Sequence, residues 1–201
     1  MIVATPIGHM LAGYAAQGIA PGPHLRRAPM LLLAVTMANA PDLDFVPGLV
    51  VGAPALYHQG VTHSLALGLT VAFVAAVVLR PLGTPVAVTF LVSALAYGSH
   101  LILDFFTADG RPPSGIPLLW PLSDAHVQSP IALFHGVRHA ASSTTGIAEW
   151  LDAILDLSNL RAVAAEILVL GPLAFWTRRR IGSAVAEPGG VSRSCLPPAR
   201  S

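Results

Sequence analysis

The sequence has no lysine, one cysteine and few charged residues of either sign. All 11 basic residues are arginines, and only 10% of the 201 residues are charged, whereas 54% are hydrophobic. Soluble domains carry about 25% charged residues, so most of the surface of this chain cannot face water. The composition favours a multi-pass membrane protein that forms one domain.

Further absences narrow the classes of function. Because Cys195 is the only cysteine, an intrachain disulfide and a metal site built from thiolates are excluded. The net charge of +1 gives no electrostatic basis for binding nucleic acid, so no nucleic-acid partner is expected. No basic segment precedes the first apolar stretch, and a cleaved signal peptide is therefore not expected either.

Apolar runs interrupted by glycine and proline predict an all-α fold, a multi-pass membrane helical bundle built from antiparallel helix hairpins. A short turn at residues 80–83 separates the runs 65–79 and 85–106, so these two helices should pack antiparallel. Residues 1–181 are assigned to the membrane-embedded domain, and the Gly-, Ser- and Pro-rich residues 182–201 to a disordered tail. The other predicted helices cover residues 7–20, 29–40, an amphipathic stretch at 147–160, and 162–176.

A histidine and an aspartate lie four residues apart in the run at 85–106, namely His100 and Asp104. On a helix this spacing places both side chains on one face, with their Cβ atoms roughly 5–6 Å apart. Imidazole and carboxylate are common ligands of zinc and similar divalent metals. In apolar surroundings both groups need partners, so the pair is either a hydrogen-bonded bridge between helices or part of a metal site.

The predicted hairpins bring more histidines and aspartates to the same end of the bundle. His63 precedes the helix at 65–79 and therefore lies beside His100, opposite Arg80. The first two helices repeat this arrangement, with histidine and aspartate at one end and arginine at the other. The arginines at the opposite ends are Arg26, Arg27, Arg80 and Arg178 to Arg180, and the candidate metal ligands are His9, Asp42, Asp44, His63, His100 and Asp104.

The ligand types favour zinc, with manganese, iron or nickel as alternatives, because magnesium and calcium prefer oxygen ligands. Asp42 or Asp44, whichever is not a ligand, is the candidate base or the outer partner that holds a histidine. His58, a loop histidine close in sequence to His63, is the third candidate catalytic residue.

The remaining histidines have no carboxylate close by in a matching spacing and are expected on loops or surfaces. His135 and His139 are four residues apart, so a secondary metal role is conceivable for them. A serine hydrolase is disfavoured because the sequence has no G-x-S-x-G motif. The histidines in this group are His24, His126, His135 and His139.

The predicted helices are short for a membrane span. A helix of about 15 residues covers roughly 22 Å, less than the hydrocarbon core of about 30 Å, which places the His/Asp site near the depth of the lipid headgroups. Short arginine-rich loops stay cytoplasmic. We therefore expect a cytoplasmic (inner) membrane protein with its metal site on the outer face.

Several short motifs follow one another in a fixed order between positions 8 and 121. They are Gly8-His9, Pro41-Asp42-Leu43-Asp44, His58-Gln59-Gly60-Val61-Thr62-His63-Ser64-Leu65, Ser99-His100-Leu101-Ile102-Leu103-Asp104, Thr107-Ala108-Asp109-Gly110 and Pro117-Leu118-Leu119-Trp120-Pro121.

In this set of motifs the chain resembles the membrane-bound metal-dependent hydrolases, also described as LexA-binding, inner-membrane-associated hydrolases. Those proteins usually carry an arginine where this chain has Gln59, so a contact to a phosphate is missing if the arginine provides one. The ligand order also resembles that of zinc-dependent phospholipase C, which implies Asp104 as a bridge between two metals. The later His/Glu ligands of that enzyme are matched only loosely in this sequence, by His126, His135 and His139.

The resulting prediction is a membrane-bound hydrolase that cleaves a lipid-type phosphoester. Metals would lower the pKa of water to near neutrality and polarise the scissile bond. Membrane lipid and a phospholipid-like substrate are the expected partners. The alternative is a non-catalytic membrane protein with a structural or transported metal ion. Transport would distribute ionisable residues along a path through mid-membrane, whereas here they gather at one end.

Overall fold

Helices make up most of the molecule. The structure, a computed structural model, describes residues 2–19, 28–109, 112–140 and 142–186. Two strands of two residues each, β1 (Ile2–Val3) and β2 (Val137–Arg138), form an antiparallel pair. The α-helices are α1 (Pro6–Gln17), α2 (Ala28–Asn39), α3 (Phe45–Val50), α4 (Leu65–Val78), α5 (Val86–Phe105), α6 (Ile147–Leu155) and α7 (Asn159–Ala186), with 3₁₀ turns at Pro41–Asp44, Val61–His63 and Arg80–Leu82.

Local sequence signals explain where the helices of the site begin. Thr5 is the N-cap of α1, since its hydroxyl accepts a hydrogen bond from the Gly8 N–H at 2.9 Å, and a proline follows at the first helical position. Ser64 caps α4 in the same way, accepting from the Leu67 N–H at 3.3 Å. The first four apolar helices therefore begin and end within about three residues of the predicted bounds.

Helices α1 and α5 occupy the centre of the bundle. Helix α1 packs against α2, α5 and α7, and α5 packs against α1, α2 and α4. Small residues permit the close approach: a Cβ on Gly13 would lie 2.5 Å from the Cβ of Ala38 in α2. Ala34, Ala38 and Ala96 are fully buried in the cluster shared by α2 and α5. The two central helices thus carry site residues on rigid, closely packed elements.

Helix α7 runs parallel to α1. Near the start of both helices, Thr5 donates two hydrogen bonds to Glu166, and near their ends Arg178 donates one to Gln17. The first turns of α1 and α7 therefore lie at the same end of the bundle.

Within the part of the chain that the structure describes, two helices are long and apolar enough to cross a membrane, Val86–Phe105 and Asn159–Arg179, and two shorter apolar helices accompany them, Ala28–Asn39 and Leu65–Val78. The fold is therefore helical with two candidate spans, and the multi-pass hairpin arrangement stays a prediction. The predicted break at residues 21–23, Arg26, Arg27 and most of the tail, with Cys195, lie outside the described residues.

The C-terminal half departs from the sequence-based bounds. The amphipathic stretch at 147–160 ends as a helix at Leu155, because the Asp156 carboxylate accepts from the Ser158 N–H at 2.7 Å and forms a turn. Helix α7 begins at Asn159 and continues to Ala186, into the segment assigned to the tail. Arginine and alanine favour helix, and Pro188 is the next breaker in the sequence. The division at residue 181 itself remains a prediction.

Candidate metal centre

Five separate elements deliver histidines and aspartates to one buried cluster. His9 lies in the first turns of α1, and Asp42 and Asp44 in the 3₁₀ turn Pro41–Asp44. His58 comes from the loop before the 3₁₀ turn Val61–His63, which supplies His63, and α5 supplies the remaining pair. The sequence-predicted residues that meet here are His9, Asp42, Asp44, His58, His63, His100 and Asp104.

The carboxylate of Asp104 lies against three imidazoles. Its Oδ2 atom is 3.1 Å from His100 Nε2 and 3.3 Å from His63 Nε2, and its Oδ1 atom is 3.5 Å from His9 Nε2. The ring of His9 stacks on that of His100 with centroids 3.6 Å apart. The i,i+4 pair of α5 is therefore the inner wall of the cluster.

Asp42 lies close to the same three histidines. Its Oδ1 atom is 3.6 Å from His100 Nε2 and 3.7 Å from His63 Nε2, and its Oδ2 atom is 4.0 Å from His9 Nε2. With 18% of its side chain exposed, Asp42 is the most accessible member of these ion pairs. It closes the cluster on the side nearest the solvent.

Asp44 is differently placed, because both of its oxygens are already engaged. Its Oδ1 atom accepts a hydrogen bond from His58 Nδ1 and its Oδ2 atom accepts one from the Thr62 hydroxyl, each at 2.9 Å. His63 Nδ1 lies 3.3 Å from the same Oδ2 atom. Asp44 therefore orients two histidines from behind, a distinction from Asp42 that the sequence left open.

Two imidazoles point their Nε2 atoms at each other. His100 Nδ1 lies 2.7 Å from the Ala38 carbonyl, which can only accept, so this nitrogen carries a hydrogen. His63 Nδ1 lies 3.1 Å from Thr62 Oγ1, whose own hydrogen goes to Asp44. In the neutral rings both Nε2 atoms thus hold lone pairs, and they are only 3.2 Å apart. A cation or a proton must lie between them.

Several buried polar atoms of the cluster make no hydrogen bond to any part of the chain that the structure describes. They are both ring nitrogens of His9, Oδ1 of Asp42 and both carboxylate oxygens of Asp104. Each buried polar atom without a partner costs roughly 1–3 kcal/mol, so together these atoms cost several kcal/mol. A divalent metal would supply the missing partner, and nitrogen with carboxylate oxygen is a donor set that suits zinc.

Three overlapping groups of side chains could each hold a metal ion, since their ligand atoms lie within 4.8 Å of one another. The groups share Asp42, His63 and His100, so they belong to one cluster and not to three separate sites. The groups are His9 with Asp42 and His100, Asp42 with His58 and His63, and His63 with His100 and Asp104.

Among the site residues outside the membrane-length helices, aspartates and histidines stabilise each other's charged forms. Burial raises the pKa of Asp42, but the neighbouring His100 and His63 outweigh this and lower it to about 2. Burial acts in the same direction on Asp44, where the adjacent His58 and His63 lower the pKa below its ordinary value of 3.8. Burial lowers the pKa of His63, but Asp104, Asp42 and Asp44 raise it well above 6.5. The carboxylates are ionised and attract positive charge to the centre.

His139 was expected on a loop or surface, and it does follow strand β2 in irregular backbone, but it is buried. It is only 2% exposed, and its ring meets that of His58 edge-on with centroids 5.3 Å apart. Phe45 stacks on His58 at 4.0 Å and meets His139 edge-on at 5.4 Å. The β1–β2 pair brings residue 139 inwards while His135 stays exposed, so the two do not share a face.

A cavity of about 870 Å³ opens beside the cluster on the side of His58. Gln59, which lines it, has a backbone φ of +59°, an uncommon conformation for a residue other than glycine. His126, predicted at the surface, borders this cavity, and His24 lies outside the described residues. The cavity wall also includes Asp44, His58, Leu56, Tyr57, Pro112 and Pro113.

Comparison with known proteins identifies a family. A family model described as YdjM inner membrane protein matches residues 4–180, a range that contains the whole His/Asp cluster. No curated protein and no solved structure matches the chain. The likeness to metal-dependent hydrolases and to phospholipase C therefore remains an interpretation of the motifs.

Proposed function

We propose that this chain, which belongs to the YdjM inner membrane protein family, is a metal-dependent hydrolase of the membrane. The observation that carries this proposal is the pair of Nε2 atoms of His63 and His100, which lie 3.2 Å apart beside the Asp104 carboxylate. Two imidazoles and a carboxylate arranged in this way fit a divalent metal better than they fit one another.

The proposed membrane arrangement is multi-pass. Apolar side chains cover the outer faces of α4 and α7, for example Phe73 (59% exposed) and Leu168 (75% exposed). In water such faces would be costly, whereas lipid tails would cover them. Helices α4 and α5 would form one membrane hairpin, and α1 and α2 a second.

The proposed ligands are His9, Asp42, His63, His100 and Asp104, and zinc is the favoured metal, with manganese as an alternative. When bound, such a metal supplies Lewis acidity, which lowers the pKa of water and polarises an ester or phosphoryl oxygen. The Ala38 carbonyl and Asp44 hold the Nδ1 hydrogens of the two central histidines, and this keeps their Nε2 lone pairs directed at the centre.

Asp44 and His58 are the proposed proton-carrying pair. The Asp44 carboxylate accepts from His58 Nδ1, so a neutral His58 carries its hydrogen on Nδ1 and its lone pair on Nε2, the form of a general base. Both residues line the 870 Å³ cavity. A substrate in that cavity would lie against this pair, and Asp42 Oδ1 is 3.9 Å from His58 Nδ1.

The proposed substrate is a phosphoester of lipid type. The cavity wall is largely apolar, with Leu43, Pro47, Leu56 and Val61 on it, and it opens next to a site at the end of membrane-length helices. A headgroup ester would reach the His/Asp cluster while the acyl portion stays in apolar surroundings.

A hydrolysis screen with purified protein in lipid tests this activity. Phosphodiester, phosphomonoester and carboxylester substrates are offered before and after chelation. We expect cleavage of a phosphoester that chelation abolishes and zinc or manganese restores. Metal-loaded protein that cleaves none of the three classes would contradict the catalytic function.

The burial of the cluster favours one second candidate, a structural metal. His9, His63 and His100 are fully buried, and structural zinc sites are closed whereas catalytic ones keep an open position. A structural metal predicts that zinc raises the thermal stability strongly while no ester is cleaved. A catalytic metal predicts turnover at the Asp42 edge as well.

The site is proposed to face outwards. Val86 to His100 covers about 20 Å along α5, so Arg80 lies at the end opposite the cluster, as do Arg178 and Arg179 of α7. Arg138 and Arg161 are exceptions, since they lie near the starts of α1 and α7.

A thiol-labelling experiment tests this orientation. In intact cells, a membrane-impermeant thiol reagent should miss Cys195 and should label Ser114→Cys, an exposed loop position, in a Cys195→Ser background. The reverse labelling pattern would show the opposite orientation in the membrane, with the cluster on the cytoplasmic side.

A further inference from the structure

Glu166 is a buried carboxylate that the metal cluster does not use. It is the only acidic residue of α7 and is 1% exposed, although residues 162–176 around it are otherwise apolar. A carboxylate in such a helix is costly unless it has specific partners. Its partners therefore indicate what it does.

These partners belong to the start of α1. The Glu166 Oε1 atom accepts from the Thr5 N–H at 2.9 Å, and the Oε2 atom accepts from the Thr5 hydroxyl. The same hydroxyl accepts from the Gly8 N–H at 2.9 Å as the N-cap of α1. Glu166 thus reaches through Thr5 into the first turn of α1.

The contact between Glu166 and the first turn of α1 explains the glycine at position 8. A Cβ at position 8 would lie 2.3 Å from the Glu166 Oε2 atom, so any larger residue there would displace the carboxylate from its present position. The next residue is His9, whose N–H donates to the Thr5 carbonyl at 2.9 Å. The backbone that carries the His9 ring is therefore bonded to Thr5, and Thr5 is bonded to Glu166.

We propose that Glu166 is a positioning residue of the metal centre. By holding Thr5 and the first turn of α1, it fixes the His9 ring in its stack on His100 and 3.5 Å from Asp104 Oδ1. This inference rests on the proposed metal centre and gives a role to a residue whose hydrogen bonds go to Thr5, four residues before His9.

The test is zinc affinity of the full chain in detergent, measured by competition with a chelator. Glu166→Leu keeps the bulk and removes both acceptors, so zinc binding should weaken by about tenfold, the low end for residues that orient a ligand. Glu166→Gln keeps one acceptor and should lie between this variant and wild type. With Co²⁺ in place of zinc, the visible absorption should shift in Glu166→Leu, because the geometry at His9 changes.

A matched control comes from the other end of the same helix pair. Gln17→Leu removes the hydrogen bond from Arg178 and should lower stability while leaving zinc affinity and the Co²⁺ spectrum unchanged. If Glu166→Leu does not fold, Thr5→Val breaks the same connection, and Thr5→Ser should restore it.

Equal zinc affinity and equal Co²⁺ spectra in wild type, Glu166→Leu and Thr5→Val would overturn the positioning role while leaving the metal centre intact. An equal loss of affinity in Gln17→Leu would also overturn it, since any weakening of the α1–α7 contact would then suffice. A wild type that binds neither zinc nor Co²⁺ would contradict the metal centre and, with it, this role of Glu166.

Discussion

The polar side chains at the two ends of the helical bundle differ in their hydrogen bonding. At the far end, Arg178 donates to Gln17 and stacks on the Tyr14 ring at 3.9 Å, so neighbouring side chains engage its charge. At the site end, buried atoms of His9 and Asp104 lie close together without a hydrogen bond. At the far end the protein itself supplies the contacts described, whereas at the site end the proposed cation would supply the missing partners.

The largest effect is expected from removing the inner wall of the cluster. His100→Ala and Asp104→Ala should each weaken zinc binding by more than about 100-fold, beyond the 10–100-fold that is usual for residues around the ligands. Elemental analysis and chelator competition measure this. Ser93→Ala, a buried change two turns earlier on α5, is the control that should retain the metal. Equal metal in all four proteins would remove the distinction between the two ends.

A second prediction separates the two aspartates of the Pro41–Asp44 turn. Asp42→Asn should remove a ligand and behave like Asp104→Ala. Asp44→Asn should weaken zinc binding by only about 10–100-fold, because Asp44 orients His58 and His63 rather than facing the centre. Its hydrolytic rate should fall by about 10² or more, since the proton-carrying pair is lost. The reverse order of zinc affinities would exchange the roles of the two residues.

A third prediction uses pH to compare metal-free and metal-loaded protein. The pKa of Asp42 is lowered from 3.8 to about 2, so its contribution to the free energy of unfolding is present above pH 4 and is lost as the pH falls towards 2. The pKa of His63 is raised above 6.5, so its contribution is present below pH 6.5 and is lost as the pH rises through the raised pKa.

Metal-free protein should therefore be most stable between about pH 4 and pH 6.5. Bound zinc replaces the proton of His63, so metal-loaded protein should keep its stability at alkaline pH, and zinc affinity should fall on acidification. Thermal unfolding at several pH values, with zinc and with a chelator, measures both. Identical pH profiles for the two forms would contradict the exchange of proton for metal.

The smallest effect is expected at the far end. Tyr14→Leu removes the cation–π contact of Arg178 and should cost about 0.5–1 kcal/mol of unfolding free energy, with zinc affinity unchanged. Denaturant or thermal unfolding measures the change in unfolding free energy, and a chelator titration measures the zinc affinity. A loss of zinc affinity in this variant would mean that the two ends are coupled.

Much of the site end was predictable because its signals are local. The i,i+4 spacing of His100 and Asp104 and the short turn before α5 suffice to place them beside His63, and the structure brings these three together. Asp42 and Asp44 could not be told apart, because their directions depend on the 3₁₀ turn at Pro41–Asp44, which a proline alone does not specify.

Long-range contacts account for the remainder. His139 is buried through the pairing of β1 with β2, strands of two residues each that are too short to leave a periodic signal. Glu166 had a usable signal, a lone carboxylate in an apolar run, but its partner Thr5 is 161 residues away. The parallel course of α1 and α7 follows from such contacts and not from any local pattern.

The metal content of the wild-type chain tests the central claim most directly. Protein purified in detergent without added metal, and then dialysed against a metal-free buffer, is measured by elemental analysis together with a zinc titration. The account predicts at least one tightly bound divalent transition metal per chain, zinc above all. A folded chain that carries no metal and takes up no zinc would contradict it, and the buried histidines and aspartates would then have to be explained by shared protons alone.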